Sequence, residues 1–198
     1  MGKSFNRLIG LGIIVFLFFT FSNFNKVSDI VEAIKESVDT TRFENPVFEN
    51  TENIQKAVIT DVVDGDTIKV YFDGKEETVR LLLIDTPETV KPNTPVQPFG
   101  EEASDYMKRR LIKDTVVELE FGIEERDKYN RLLAYVFKDG DFINEELVKE
   151  GLARVAYVYE PNTKYLDVLK QAENEAQKKK IGIWSIDGYV TDKGFNYE

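Results

Sequence analysis

The sequence predicts an α+β protein: a small closed barrel of five strands with three helices packed against it. Three observations predict it. Short runs rich in Val, Ile, Leu and aromatics (residues 57–63, 67–72 and 78–84) are separated by Asp64-Gly65 and Asp73-Gly74. Asp-Gly favours tight turns because glycine accepts positive φ without strain, so these runs form a three-stranded meander. Two more runs of the same texture, 115–121 and 132–137, follow a helical stretch. Apolar residues at helical spacing then fill the remaining segments. Five strands and three helices in about 130 residues have the size of a small barrel, a fold that commonly binds oligonucleotides on one face.

Each helix has its own signal. In residues 100–112, Ala103, Met107 and Leu111 lie four apart and share a face. Residues 144–150 form a short helix stopped by Gly151. Residues 162–180 follow Pro161, turn Leu169, Ala172 and Ala176 inward, and end on Lys178, Lys179 and Lys180, where the helix dipole favours cations. The run Lys108-Arg109-Arg110 reads as a solvated helix face.

The N-terminal part has a different texture. Lys3 and Arg7 precede an uncharged run, 8–25, whose centre, 11–19, is almost wholly apolar. A short basic flank before about 14 apolar residues is a secretory pattern, and the run is shorter than the ~20 residues of an ordinary membrane span. Residues 1–25 are therefore expected to be a signal peptide or an N-terminal membrane anchor. The mature protein is then secreted or anchored on the extracytoplasmic side of the cell membrane, tethered there by the apolar segment if it is retained. Residues 26–53 read as an acidic spacer: 23–55 hold 3 basic and 7 acidic residues. Residues 54–190 form the barrel domain and 191–198 a C-terminal tail.

Composition narrows the chemistry. The 198 residues include no Cys, which excludes disulfides, thiolate metal sites and cysteine nucleophiles. They include no His either, which excludes serine–histidine triads and imidazole-dependent metal sites. Hydrolysis would have to run on carboxylates, Arg, Lys, Tyr and a hard, oxygen-loving cation. The net charge of −10 argues against a sequence-independent clamp on long nucleic acid, but it leaves room for a few placed arginines.

Arg80 stands at one end of an aliphatic run, with Asp85 and Glu88 at the other. A charge beside a core strand is costly unless paired or used. Two readings are open: a structural ion pair of Arg80 with Asp85 or Glu88 beside a proline turn, or a functional cluster. A second group, Lys128, Tyr129 and Arg131, tilts the balance. Two arginines with several carboxylates are what phosphodiester hydrolysis can use without imidazole, since guanidinium forks bind non-bridging oxygens bidentately.

Several motifs occur in one order: Asp64-Gly65-Asp66-Thr67, the stretch from Arg80 to Thr89, Asp127-Lys128-Tyr129-Asn130-Arg131, and Val155-Ala156-Tyr157-Val158-Tyr159. Asn144-Glu145-Glu146-Leu147-Val148, Gly151-Leu152-Ala153 and Ile183-Trp184-Ser185 fit the same series. Together, over residues 54–185, they resemble the staphylococcal nuclease (thermonuclease) family. The resemblance implies an oligonucleotide-binding (OB) type barrel and Ca²⁺-dependent cleavage of DNA and RNA, and the chain is expected to act as a monomer. It implies Asp66, Asp85 and the Thr86 carbonyl as metal ligands, with Arg80 and Arg131 on the scissile phosphate. Glu88 would orient or deprotonate the attacking water. Lys128 and Tyr129 would hold a neighbouring phosphate, and Tyr157 and Tyr159 would line a nucleoside pocket. Asp139-Gly140-Asp141 would be a plain hairpin turn.

Without the resemblance, Tyr157 and Tyr159 read as half-buried barrel residues sharing strand parity, and Trp184 as a packing residue. The loop 90–99 has Lys91 as its one basic residue, and Asn130 and Leu132 stand where the family type suggests small residues. These departures imply weaker substrate capture. The alternative is a non-catalytic nucleic-acid-binding or protein-interaction module on the same barrel. Such a module would be expected to have lost acids or arginines that are all present here.

Overall fold

The computed structural model describes residues 54–89 and 95–196. The leader or anchor expected at 1–25 and the acidic spacer at 26–53 lie outside them, as do residues 90–94 of the loop 90–99. Among the described residues, no helix is long and apolar enough to cross a membrane.

The strands are β1 (Ile54–Val62), β2 (Thr67–Phe72), β3 (Lys75–Leu81), β4 (Ile84–Asp85), β5 (Val116–Arg126), β6 (Leu132–Lys138), β7 (Asp141–Phe142), β8 (Arg154–Val155), β9 (Val190–Thr191) and β10 (Gly194–Phe195). The helices are α1 (Gly100–Arg110), α2 (Ile143–Lys149) and α3 (Leu166–Lys179). Strands pair in the order β3-β2-β1-β5-β6, and a parallel pairing of β3 with β6 closes the ring. This is the expected α+β architecture, a closed five-stranded barrel with three helices.

Ile59, Ile68, Val79, Leu119 and Val136 are fully buried inside it. A bulge between Ile59 and Asp61 shifts the parity of β1, so Val62 points inward and Asp61 outward. The helix faces fall where their spacing put them: Ala103, Met107 and Leu111, and Leu169, Ala172 and Ala176, are all buried.

Four sequence expectations need correction. The run 78–84 is not one strand. β3 stops at Leu81, and Leu83 takes φ 62°, which breaks the ladder. Ile84 and Asp85 leave as β4 and pair with Val155 and Arg154. The third helix starts at Leu166 rather than at 162, because Asn162 is drawn away to bond the Glu124 backbone. The basic run on α1 is not solvated throughout. Arg110 is half-buried, with Nε donating to Glu146 of α2 at 2.9 Å and Nη2 paired with Asp141. Residues 191–196, read as tail, contain the β9–β10 hairpin, and Phe195 packs 5.3 Å from the buried Tyr189 ring.

Asn144 ties the bend after β3 to the helices. Its Oδ1 accepts from the Val136 N–H (3.0 Å) and its Nδ2 donates to the Leu82 carbonyl (2.9 Å) at zero exposure. Asn144→Leu would strand one buried donor and one buried acceptor, each worth about 1–3 kcal/mol. Urea unfolding should therefore show stability falling by about 2–5 kcal/mol with an unchanged m-value. A loss below about 1 kcal/mol would mean that those groups find other partners.

Candidate active site

The chain has four Asp-Gly pairs, and the structure separates them. Gly74, Gly140 and Gly188 have positive φ (78°, 89° and 73°), and a Cβ at any of them would meet nothing within 4 Å. These are plain turns, and the Asp139-Gly140-Asp141 turn joins β6 to β7 as expected. Gly65 differs. Its φ is not positive, yet a Cβ there would lie 2.7 Å from Thr86 Oγ1 and 2.8 Å from Ala103 Cβ. Glycine is needed at 65 for close approach, which brings Asp66 against Thr86.

Asp66 is buried and fully engaged. Oδ1 accepts from Thr67 Oγ1 (3.0 Å). Oδ2 accepts from the Thr86 N–H (3.0 Å), from Thr86 Oγ1 (3.2 Å) and from Arg80 Nη2 (3.0 Å). Thr86 is thus a brace for Asp66. Arg80 is 9% exposed. Its Nη1 donates to the carbonyls of Leu81 and Ile84 at 2.9 Å each, and the bend at Leu82–Leu83 closes around it. Its Nη2 lies 3.7 Å from Asp85 Oδ1, so the structural pair with Asp85 is present, together with a shorter one to Asp66. The Tyr157 ring lies 5.4 Å from the guanidinium.

Asp85 is gripped on its other side by Arg154 Nε at 2.9 Å. Asp64 stands beside Asp66, with Oδ1 accepting the Asp66 N–H. Burial, and then the charge of Asp66, pushes the Asp64 carboxyl up to about 7. The same two causes raise Asp85, against the pull of Arg154 and Arg80. Acids crowded out of water with surplus negative charge are a setting that a bound cation relieves. Among the described residues no group of three or more acids has metal-cage geometry. Asp66, Asp85 and the Thr86 carbonyl offer oxygen donors of the kind a hard ion takes, with water and substrate oxygens completing its shell, although Asp66 already accepts four hydrogen bonds.

The second group sits on the turn between β5 and β6. Asp127 organises it: Oδ1 accepts from the backbone N–H of Tyr129 and of Arg131, and Oδ2 from Arg131 Nε at 2.7 Å. Burial alone would raise the Asp127 carboxyl, but the hydrogen bonds from Arg131 hold it below its usual range. Asn130 takes φ 66°, a left-handed position that Asn tolerates, which accounts for the departure noted there. The Tyr129 ring faces Lys128 Nζ at 4.9 Å and the Arg131 guanidinium at 5.5 Å.

One cleft of about 630 Å³ is lined by Asp66, Arg80, Asp85, Thr86, Glu88, Lys128, Tyr129, Arg131, Tyr157 and Tyr159. All ten candidate residues are therefore brought together. Glu88 is held at the cleft edge by Thr89 N–H donating to its Oε1 and by its own N–H donating to Gln97 Oε1. Tyr157 and Tyr159 do not share strand parity. They lie on a loop beyond β8, Tyr157 at φ 52°, and are 56% and 71% exposed.

Sequence reasoning missed Asp64, Asp127 and Arg154. Arg154 carried the signal that drew attention to Arg80, a lone cation in an apolar run. Asp127 starts a turn that includes Asn130, the pattern of an Asx-turn.

A closed barrel with acids, arginines and exposed tyrosines in one cleft defines a protein of the oligonucleotide-binding fold type. A family model described as staphylococcal nuclease homologue matches residues 78–186. The chain is 54% identical over 152 residues to endonuclease YncB of Bacillus subtilis, covering 76% of this chain and 72% of that protein. It is 47% identical over 156 residues to a thermonuclease of Staphylococcus hyicus, covering 79% and 90%. It is 62% identical over 135 residues to the SPbeta prophage-derived endonuclease YokF of Bacillus subtilis, covering 68% of this chain but 45% of that relative. The chain belongs to the staphylococcal nuclease family, and these likenesses support an enzyme acting on nucleic acid.

Proposed function

We propose that the protein is an exported, Ca²⁺-dependent nuclease that hydrolyses phosphodiester bonds of DNA and RNA as a monomer. One observation carries the reading: ten residues from five separate segments converge on one cleft in a family whose relatives are endonucleases and thermonucleases. The apolar run at 11–19 behind Lys3 and Arg7 supports export, with release or retention as a membrane tether.

Asp66, Asp85 and Thr86 would hold the ion. When bound, Ca²⁺ would polarise the phosphate and help place the attacking water. The chain's own groups do the rest. Glu88 orients the water and takes its proton as the water oxygen bonds to phosphorus. Arg80 and Arg131 grip the non-bridging oxygens and stabilise the added charge as the bond to the leaving oxygen breaks. The leaving oxygen takes its proton from solvent. Lys128 and Tyr129 bind the adjoining phosphate, and Tyr157 and Tyr159 offer faces on which a base can stack.

The test is digestion of linear DNA and of RNA by the full chain, with and without a Ca²⁺ chelator, followed by add-back of Ca²⁺ or Mg²⁺. Cleavage should vanish with chelator and return with Ca²⁺, with Mg²⁺ restoring much less. Chelator-insensitive cleavage, or full rate with Mg²⁺ alone, would overturn the metal assignment.

A further inference from the structure

The turn carrying Lys128, Tyr129 and Arg131 is thinly attached to the barrel. β5 and β6 pair from Glu118↔Phe137 to Phe121↔Ala134, then part, and meet again at Arg126↔Leu132. The Asp127 hydrogen bonds hold the turn's shape, but they lie within it and do not fix its place. The parallel ladder holds β6 to β3 only from Leu132 onward, opposite Val79, and two side chains from elsewhere hold the turn itself. Asn162 exchanges two bonds with the Glu124 backbone, Nδ2 donating at 3.0 Å and Oδ1 accepting at 3.2 Å.

Glu77 is the other. It lies on β3, the strand that carries Arg80, and its side chain is 9% exposed. Its Oε1 accepts from Arg126 Nη2 at 2.8 Å and its Oε2 from Nη1 at 3.1 Å. The same Nη1 donates to the Asn130 carbonyl at 2.8 Å, one residue before Arg131. Hydrogen bonds from Arg126, then from Lys75, hold the Glu77 carboxyl down to about 2, so the clip stays charged at neutral pH. Neither Glu77 nor Arg126 lines the cleft.

We propose that the Glu77–Arg126 pair is a positioning clip that sets where Arg131 stands relative to Arg80, and hence the two-armed grip on the phosphate. One guanidinium joins the strand of the first arginine to the turn of the second. An exposed ion pair contributes little to stability, but a bidentate grip on a buried carboxylate that also caps a turn carbonyl defines a position, even with the guanidinium partly exposed. The inference rests on the nuclease reading.

The test uses the full chain with Glu77→Gln, Arg126→Met and Arg126→Lys, each alone and combined with Arg131→Ala. Glu77→Gln should lower kcat/KM on DNA by roughly 10- to 100-fold, the scale of an ångström's misplacement of a reacting group. In the Arg131→Ala background most of that loss should disappear, because the clip acts through Arg131. Arg126→Lys should rescue little, since one ammonium cannot bond both carboxylate oxygens and the carbonyl. Amide hydrogen exchange at Tyr129 and Arg131 should accelerate in Glu77→Gln without added metal or substrate. A loss of equal size in both backgrounds would overturn the clip, as would unchanged exchange with unchanged kcat/KM. If the parent protein cleaved no nucleic acid, the nuclease reading would fail, and the exchange measurement would still decide whether the clip holds the turn.

Discussion

Arg80→Lys should lower cleavage of DNA by at least about 10³-fold while the protein still unfolds cooperatively. Replacing one preorganised donor at a developing oxyanion typically costs about 10²–10³-fold, and Arg80 does more than donate once. Its Nη1 satisfies the carbonyls of Leu81 and Ile84 at the bend, and its Nη2 faces both Asp66 and Asp85. A lysine ammonium keeps the charge, so the acids are not left uncompensated and the larger penalty of breaking a buried pair is avoided. It is a point donor, however, and cannot reach both carbonyls and both carboxylates from one stem. The variant should therefore lose transition-state stabilisation and some rigidity of the bend, with a stability loss of about 1–3 kcal/mol. The measurement is kcat/KM at saturating Ca²⁺ alongside thermal unfolding. A folded Arg80→Lys protein within 10-fold of the parent would leave Arg80 as a structural clamp and take it out of the chemistry.

The same residue shows where the sequence was legible and where it was not. Period-two runs and four-residue spacing located every barrel strand and all three helices, because those signals are local and the core obeys them. The bend after Leu81 was invisible. Leu-Leu-Leu-Ile looks like continuous strand, and what breaks it is tertiary: Arg80 beneath it, Asn144 pulling the Leu82 carbonyl, and β8 capturing Ile84 and Asp85. The cleft residues were found through the order of their motifs, which binds distant segments to one chemistry. Their supports were not. In a chain with 36 acids, nothing local marks Glu77 as the carboxylate that will be buried and bonded, whereas Asp127 has the local signal of an Asx-turn. For Glu77 that depends on which basic side chain folds against it, and Arg126, 49 residues away, reaches it only once the barrel has closed.

Gly65→Ala should damage the corner of the cleft at Asp66, the proposed metal site, more than any other single-methyl change. A Cβ at 65 would lie 2.7 Å from Thr86 Oγ1 and 2.8 Å from both Thr86 Cγ2 and Ala103 Cβ. Ala103 is on α1 and fully buried, so it cannot yield without moving the helix. Thr86 must give way instead, and it is the brace whose N–H and hydroxyl hold Asp66 Oδ2. Overpacking of this kind costs about 1–3 kcal/mol, and shifting a catalytic corner by about an ångström can cost about 10²-fold in rate. Calcium affinity, read by calorimetry without substrate, should fall together with kcat. Gly140→Ala supplies the control: its φ of 89° makes alanine strained, yet open space surrounds the new methyl on a turn whose residues do not line the cleft. That variant should lose about 1–2 kcal/mol of stability and keep its rate and calcium affinity. If Gly65→Ala matched Gly140→Ala in both readouts, the two Asp-Gly-Asp stretches would be equivalent turns. The close approach at 65 would then have no part in holding Asp66.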